Sequence, residues 1–307
     1  MPNMDVNTPR QVGKSTLKVT PLGFGSGPFG YPHITHQDCL EAVKAAWDEG
    51  VRFFDTAPYY GIGRSERRLG LALAECGERG SYVINTKVGR TLEPEPTADK
   101  HNDTLTPDGS KRTPRDRRSG HRVHFDYSGE AIALQHRDSL QRLGVADVNS
   151  LTIHDVDYGY QSPAQIDAIF SQLADHGGAA ALKALRDANQ IQAIGAGCNR
   201  EMRNFASWEG GLHEDLIERL ADTVDLDFLV LAGPYTLLDT LALRRVLPLC
   251  QERGMGAIIA SPYAGGWLVD PDQHPYMYGE TPAAMRERSA QLADVCRSFA
   301  VPLAAVA

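Results

Sequence analysis

Residues 52–60 read RFFDTAPYY: an apolar pair, Phe53 and Phe54, is stopped by Asp55, and Tyr60 follows five positions later. The pattern returns in VINTK (83–87), which ends on Lys87, and in LTIHD (151–155), where Leu151 to Ile153 run up to His154. A short run rich in Val, Ile, Phe or Leu and closed by one polar residue reads as a buried parallel strand whose tip faces a site. An acid, a phenol, an ammonium and an imidazole at neighbouring strand tips form a set that can move a proton.

Outward from these strands the chain alternates strand and helix. STLKVT (15–20), after QVGK, suggests an opening hairpin, and PLGFGSGPFG (21–30) a first barrel strand with a glycine loop. HQDCLEAVKAAWDEG (36–50) reads as an amphipathic helix with Leu40, Val43, Ala46 and Trp47 on one face and Gly50 as its stop. SERRLGLALAEC (65–76) reads as a helix with Ser65 as its N-cap. Beyond them come SGEAIALQHRDSLQRLG, GAAALKALRDANQ, HEDLIERLAD, LALRRVLPLCQERG and PAAMRERSAQLADVCRSFA as helices. IQAIGAGCN, DFLVLAGPY and MGAIIASPYAGG are the fifth, sixth and seventh strands, and VPLAAVA starts one more helix.

Serial β-then-α units predict a parallel sheet covered by helices. No strand opens a helix through G-x-G-x-x-G, and polar residues recur at nearly every strand tip, which favours a TIM (β/α)8 barrel over an open doubly wound sheet. Residues 1–307 are therefore expected to form a single barrel domain. Only seven barrel strands are countable before Ala307, so the eighth strand and its helix are expected to lie beyond it. Residues 91–128 break the rhythm: they are polar and proline-dotted, with a basic run from Lys111 to Arg122. That insertion reads either as a lid or recognition loop, or as a solvated, mobile excursion.

The 307 residues are 42% apolar and 23% charged, an ordinary balance with ample material for a core. No apolar run is long enough to span a bilayer, and the start, MPNMDVNTPRQVGK, has no apolar signal-peptide segment. The five cysteines (Cys39, Cys76, Cys198, Cys250, Cys296) are scattered and odd in number, which reads as reduced thiols in a cytoplasmic protein. A net charge of -8 argues against general nucleic-acid binding. HDVD (His154, Asp155, Asp157) has metal-ligand residue types, but the other strand tips add only Asp55, so no metal site is expected.

FFDTAPYYGIGRSE, TKVGR, RLGVADVNSLTIHD and AIGAGCN, in this order from about Gln11 onward, resemble the aldo-keto reductases. DTAPYYGIGRSERRLG, TKVGR, FDYS and FLVLAGPYTLLD look most like its sugar-oxidising branch of aldose 1-dehydrogenases, L-fucose or L-galactose dehydrogenases and a pyridoxal dehydrogenase. The resemblance implies hydride transfer between NAD or NADP and a sugar, small aldehyde or alcohol, with aldose oxidation at C1 to a lactone as the favoured reaction. It leans toward NAD on the branch alone.

Within that resemblance Asp55, Tyr60, Lys87 and His154 form the catalytic set. Tyr60 carries the proton, and Tyr59 is a pocket wall. A free phenol has a pKa of about 10, and a nearby cation lowers it. Lys87 would be that cation, Asp55 would hold Lys87 charged and in place, and His154 would orient the substrate oxygen. Each residue alone also has a structural reading: a cap or ion pair for Asp55, a solvated strand end for Lys87, a satisfied core histidine for His154. For the cofactor, the resemblance implies Asn199 at the carboxamide, with Cys198 beside it where a serine is common. Gly25 would lie near the nicotinamide, and Ser261, Pro262, Gly265, Gly266 and Leu268 round the pyrophosphate. Ala260 stands where many members carry a stacking tyrosine, and Tyr235 is the candidate to replace it. A broad NADPH-dependent aldehyde reductase and a non-catalytic cofactor-sensing regulatory protein remain alternatives. The oligomeric state is not legible.

Overall fold

The computed structural model of the chain describes residues 7–94, 120–199, 212–274, 276 and 281–307. A hairpin of β1 (Arg10–Gln11) and β2 (Lys18–Val19) opens it. β3 (Gly23–Gly25), β4 (Phe53–Asp55) and β5 (Val83–Val88) follow. β6 (Arg90–Pro94) and β7 (His121–Phe125) then pair antiparallel, and β8 (Ser150–His154), β9 (Ala193–Asn199), β10 (Phe228–Ala232) and β11 (Gly256–Ala260) complete the strands. The helices are α1 (His36–Asp48), α2 (Arg64–Cys76), α3 (Gly129–Leu143), α4 (Pro163–Ala174), α5 (Gly178–Asp187), α6 (Leu212–Thr223), α7 (Val246–Arg253), α8 (Ala283–Ser298) and α9 (Leu303–Val306).

Seven strands form one sheet in the order β11-β10-β9-β8-β5-β4-β3, every pair parallel. The spatial order never reverses along the chain. A doubly wound sheet must reverse at a switch point, whereas a singly wound one curls steadily in one sense toward a barrel. The fold is thus a nearly closed α/β barrel, as the strand pattern predicted, and among the described residues no eighth strand pairs with β3 or β11.

Alternation along the strands sorts the core into two layers. Phe54, Ile84, Leu151, Ile153, Ile194, Ala196, Leu229 and Leu231 point outward and pack with Val43, Leu69, Leu73, Ile132 and Leu220 of the helices. Phe228, Val230 and Ala193 point inward and meet Val12 and Leu17 of the opening hairpin, which plugs the N-terminal end of the barrel. The inward positions of β5 and β8 are polar: Asn85, Lys87, Ser150, Thr152 and His154 are all buried, and Lys87 and His154 bring that polar lining to the C-terminal ends of their strands. A polar, buried interior at the C-terminal ends of the strands is where a barrel builds its site.

The structure corrects four local expectations. Ser65 is not an N-cap: α2 starts at Arg64 after Gly63 (φ 77°), and the Ser65 hydroxyl donates to the Ser26 carbonyl at 2.7 Å. α4 was not anticipated, although Ser162 and Gln165 form a capping box and Pro163 opens the helix. The segment read as one helix from Leu241 to Gly254 is a 3₁₀ turn (Leu241–Leu243) followed by α7, in which Pro248 occupies the first turn, where no helical N–H is missed. The insertion at 91–128 begins and ends as the β6–β7 pair, with Arg90 opposite Phe125 and Pro94 opposite His121. Most of its basic run, residues 111–119, lies outside the described residues.

Candidate active site

Strand register sets the site. Gly25 pairs with Asp55, Asp55 with Asn85, Lys87 with Thr152, His154 with Gly197 and Asn199 with Ala232. Asp55, Lys87, His154 and Asn199 therefore reach the same end of the barrel from β4, β5, β8 and β9.

Lys87 Nζ donates to Asp55 Oδ2 at 2.6 Å and to the Thr56 carbonyl at 2.7 Å. The other Asp55 oxygen accepts from Asn85 Nδ2 at 2.6 Å, and Asn85 Oδ1 accepts from Ser150 Oγ at 2.8 Å and Thr152 Oγ1 at 3.0 Å. Each inward polar atom thus supports the next, as a low-dielectric interior requires. The Lys87 ammonium lies 4.9 Å from the Tyr60 ring centroid, and the Tyr60 and His154 rings meet edge to face at 5.7 Å and 87°. The four residues singled out in the sequence are brought together.

Burial works against the charge on Lys87, but Asp55 and Tyr60 outweigh it and hold the ammonium above its ordinary pKa. Tyr60 behaves differently from the expectation. Burial pushes its phenol above the ordinary value, and the pull of Lys87 is not enough to reverse this. Asp55 and Asp155, both negative, add to the upward push. The expected acidification by the lysine is therefore present as a force but does not decide the net result.

Behind His154 lies a cluster joining Asp155 and Asp157, which the sequence marks only as metal-ligand types, to Asn199 and Arg90. Asp155 is buried and stands in the left-handed region (φ 55°), where Asp and Asn are better tolerated than most residues. Its Oδ2 is 3.4 Å from His154 Nε2 and pairs with the Arg90 guanidinium, while Oδ1 accepts from Asn199 Nδ2 at 2.5 Å. Asp157 Oδ2 accepts from the Asn199 side chain at 3.0 Å and from its backbone N–H at 3.2 Å. Arg90 is 2% exposed and stacks on Tyr59 at 3.6 Å, with Phe125 and Tyr160 each at 4.6 Å. The Tyr127 hydroxyl donates to the His154 carbonyl at 2.5 Å. Arg90 belongs to the quoted TKVGR, but its partner lies 65 residues away, and only the barrel brings them together.

At Gly25 an added Cβ would meet nothing within 4 Å, so open space adjoins the strand tip beside Asp55. The loop after β11 holds Ser261 (φ 55°), Ala264 (φ 52°), Gly265 (φ 77°) and Gly266 (φ 106°) in the left-handed region. Within it the Ala264 N–H donates to the Ser261 carbonyl at 2.9 Å and the Gly266 N–H to the Tyr263 carbonyl at 3.0 Å, closing two tight turns. Pro262 is exposed, whereas the Leu268 side chain is buried with Trp267 and Tyr276, and its N–H donates to the Tyr263 carbonyl. Tyr235 is 39% exposed in the turn after β10.

The fold and its likeness to known proteins together make this chain an NAD(P)-dependent oxidoreductase on an α/β barrel. Residues 21–307 match the aldo/keto reductase family, and the chain belongs to that family. It is 36% identical to the pyridoxal 4-dehydrogenase of Microbacterium luteolum, over 97% of this chain and 83% of that protein. It is 31% identical to a D-threo-aldose 1-dehydrogenase of Pseudomonas, over 95% of this chain and 81% of that protein. Among solved structures, an aldo-keto reductase of Bacillus halodurans in its holo form superposes with a TM-score of 0.62 at 22% identity, over 88% of this chain and 72% of that one. Among the described residues no helix is long and apolar enough to cross a membrane.

Proposed function

We propose that this protein oxidises an aldose at C1 to its lactone, with NAD as the favoured hydride acceptor and Asp55, Tyr60, Lys87 and His154 as the catalytic residues. The carrying observation is the Lys87 ammonium, held 2.6 Å from Asp55 and lying under the Tyr60 ring. The names of its relatives, which include an L-galactose dehydrogenase of Arabidopsis thaliana at 28% identity, support a sugar or pyridoxal-like substrate. A bound nicotinamide supplies the hydride acceptor or donor. The residues here supply the proton chemistry. Tyr60, as phenolate, takes the hydroxyl proton while the C1–H bond gives up its hydride, leaving the carbonyl of the lactone. Lys87 stabilises that phenolate, Asp55 fixes Lys87, and His154 holds the substrate oxygen.

The open space at Gly25 and the left-handed loop after β11 fit a dinucleotide. Asn199 spends its amide N–H on Asp155 and Asp157, which leaves Oδ1 to accept from a carboxamide. Ser261, Pro262, Gly265 and Gly266 would line the pyrophosphate through backbone, Leu268 would brace that loop from below, and Tyr235 would stack on the nicotinamide. The unpaired thiols suit a reducing, cytoplasmic setting.

A second reading, reduction of an aldehyde with NADPH, draws on one observation. Burial raises the Tyr60 phenol above its ordinary value, which favours the protonated form that donates. Turnover of L-fucose, D-arabinose, pyridoxal and simple aldehydes with each cofactor separates the two. Tyr60→Phe is expected to lose at least about 10²-fold in turnover, the contribution of one general acid/base; near-full activity in that variant sinks the mechanism. Cofactor binding without turnover of any substrate on the panel points instead to a sensing role.

A further inference from the structure

We propose that Asp155 is a positioning residue, whose carboxylate holds the His154 imidazole and the Asn199 amide in one frame, with Arg90 as its buried counter-charge. The inference rests on the reading of His154 as the group that holds the substrate oxygen.

Three groups converge on this carboxylate from three elements: Asn199 Nδ2 of β9 at 2.5 Å and the guanidinium of Arg90 at the start of β6 donate to it, and His154 Nε2 of β8 lies 3.4 Å from it. Asp155 reaches them because its backbone turns left-handed at the end of β8, and its N–H donates to the Gly197 carbonyl of β9 at 3.2 Å. Asp157 braces the same corner through Asn199 and through the Gly159 N–H at 3.0 Å. Both carboxylates of the HDVD segment are thereby committed to protein donors.

Stability alone accounts poorly for this arrangement. Arg90 is buried, its Nε and Nη1 have no hydrogen-bond partner, and it is wrapped by Tyr59, Phe125 and Tyr160. Buried unpaired N–H groups cost free energy, and a buried ion pair is often no better than an apolar pair of the same volume. What the pair does achieve is a fixed negative charge beside one ring nitrogen of His154, partly balanced so that it does not overwhelm the site. A carboxylate there favours the N–H form of that nitrogen and fixes the plane of the ring. Of the other titratable groups at this end, Tyr60 meets the His154 ring edge to face, Lys87 and Asp55 stand beside Tyr60 from β5 and β4, and the Tyr127 hydroxyl donates to the His154 carbonyl. Asp157 stands behind Asn199.

The test is the pH titration of His154 in the full chain, followed by NMR with labelled histidine and assigned by its disappearance in His154→Gln. Asp155→Asn keeps the side-chain shape and tolerates the left-handed backbone. It is expected to move the His154 midpoint to lower pH, because the anion that favours the imidazolium is gone. Turnover is expected to fall about tenfold or more. Should the lone Arg90 charge unfold that variant, Arg90→Met with Asp155→Asn removes both charges, and the His154 midpoint is expected to differ from that of Arg90→Met alone, since the carboxylate beside its ring has gone. A His154 titration unmoved in the folded variants overturns the inference. Failure of the functional reading is visible separately, as absence of turnover in the unaltered protein or its persistence in Tyr60→Phe; the titration decides the role of Asp155 in either case.

Discussion

Lys87 Nζ and Asp55 Oδ2 stand 2.6 Å apart, with the lysine side chain 4% exposed and the carboxylate 22% exposed. Removing one member of such a pair strands the other in low dielectric, at a cost of about 3–5 kcal/mol when both are fully buried. Asp55 keeps some contact with water and an amide donor in Asn85. The cost of Lys87→Met is therefore expected at the low end, roughly 2 kcal/mol, measured by denaturant unfolding. Adding Asp55→Asn to Lys87→Met is expected to restore much of that stability and none of the turnover. Recovery of both together contradicts a catalytic role for the pair.

Tyr60 is expected to ionise above the ordinary phenol range in the free protein, because burial outweighs the attraction of Lys87. Ultraviolet difference titration of the wild-type chain against Tyr60→Phe isolates it. The sign for stability follows. The raised folded value means the unfolded chain loses its phenolic proton first, at about pH 10. The contribution of Tyr60 is then fully present below that pH and is lost as pH rises through the folded value. Tyr60→Phe should be less alkali-labile than the wild type. A midpoint below 10, the unshifted phenol value, contradicts the balance of forces described here.

Strand tips were the most legible part of this chain, since an apolar run ending in one polar residue records both the burial of the strand and the exposure of its end. Asp55, Lys87 and His154 were found that way. Tyr60 was found only through its spacing in a family motif, because it lies past the strand on a turn. The pairing of Asp155 with Arg90 is not legible: a buried pair joined across 65 residues leaves no periodic signal, and in HDVD Asp155 reads only as a metal-ligand type without partners. α4 had a readable start in Ser162, Pro163 and Gln165, but the two helices α4 and α5 follow each other closely between β8 and β9, where a regular barrel has one. The direction of the Tyr60 shift was missed for a different reason. A sequence shows which cation is near but not how much water the fold removes.

Gly89 joins β5 to β6 beneath the site, with φ at 107°. A Cβ there would lie 2.1 Å from Tyr127 Cε1, inside the ring whose hydroxyl holds the His154 carbonyl. Gly144, the C-cap of α3 (φ 68°), has open space around its missing Cβ. Gly144→Ala is expected to cost about 1 kcal/mol of backbone strain and leave turnover intact. Gly89→Ala adds a steric clash that displaces Tyr127, so both the thermal midpoint and the turnover should fall. Equal effects in the two variants contradict the steric account.

Four of the five cysteines, Cys39, Cys198, Cys250 and Cys296, are buried, and Cys76 is half-buried at the end of α2. Burial pushes the Cys250 thiol up to about 11 and the Cys198 thiol well above its usual range. The thiolate is the reactive form, so these groups are doubly protected, by access and by protonation. A polar maleimide at neutral pH is expected to modify Cys76 first in the native chain, and Cys76→Ser should remove that fast phase. In denaturant without reductant all five thiols should react, because none is paired in the fold. Fewer than five under those conditions indicates a disulfide and contradicts both the free thiols described here and the reducing compartment inferred from them.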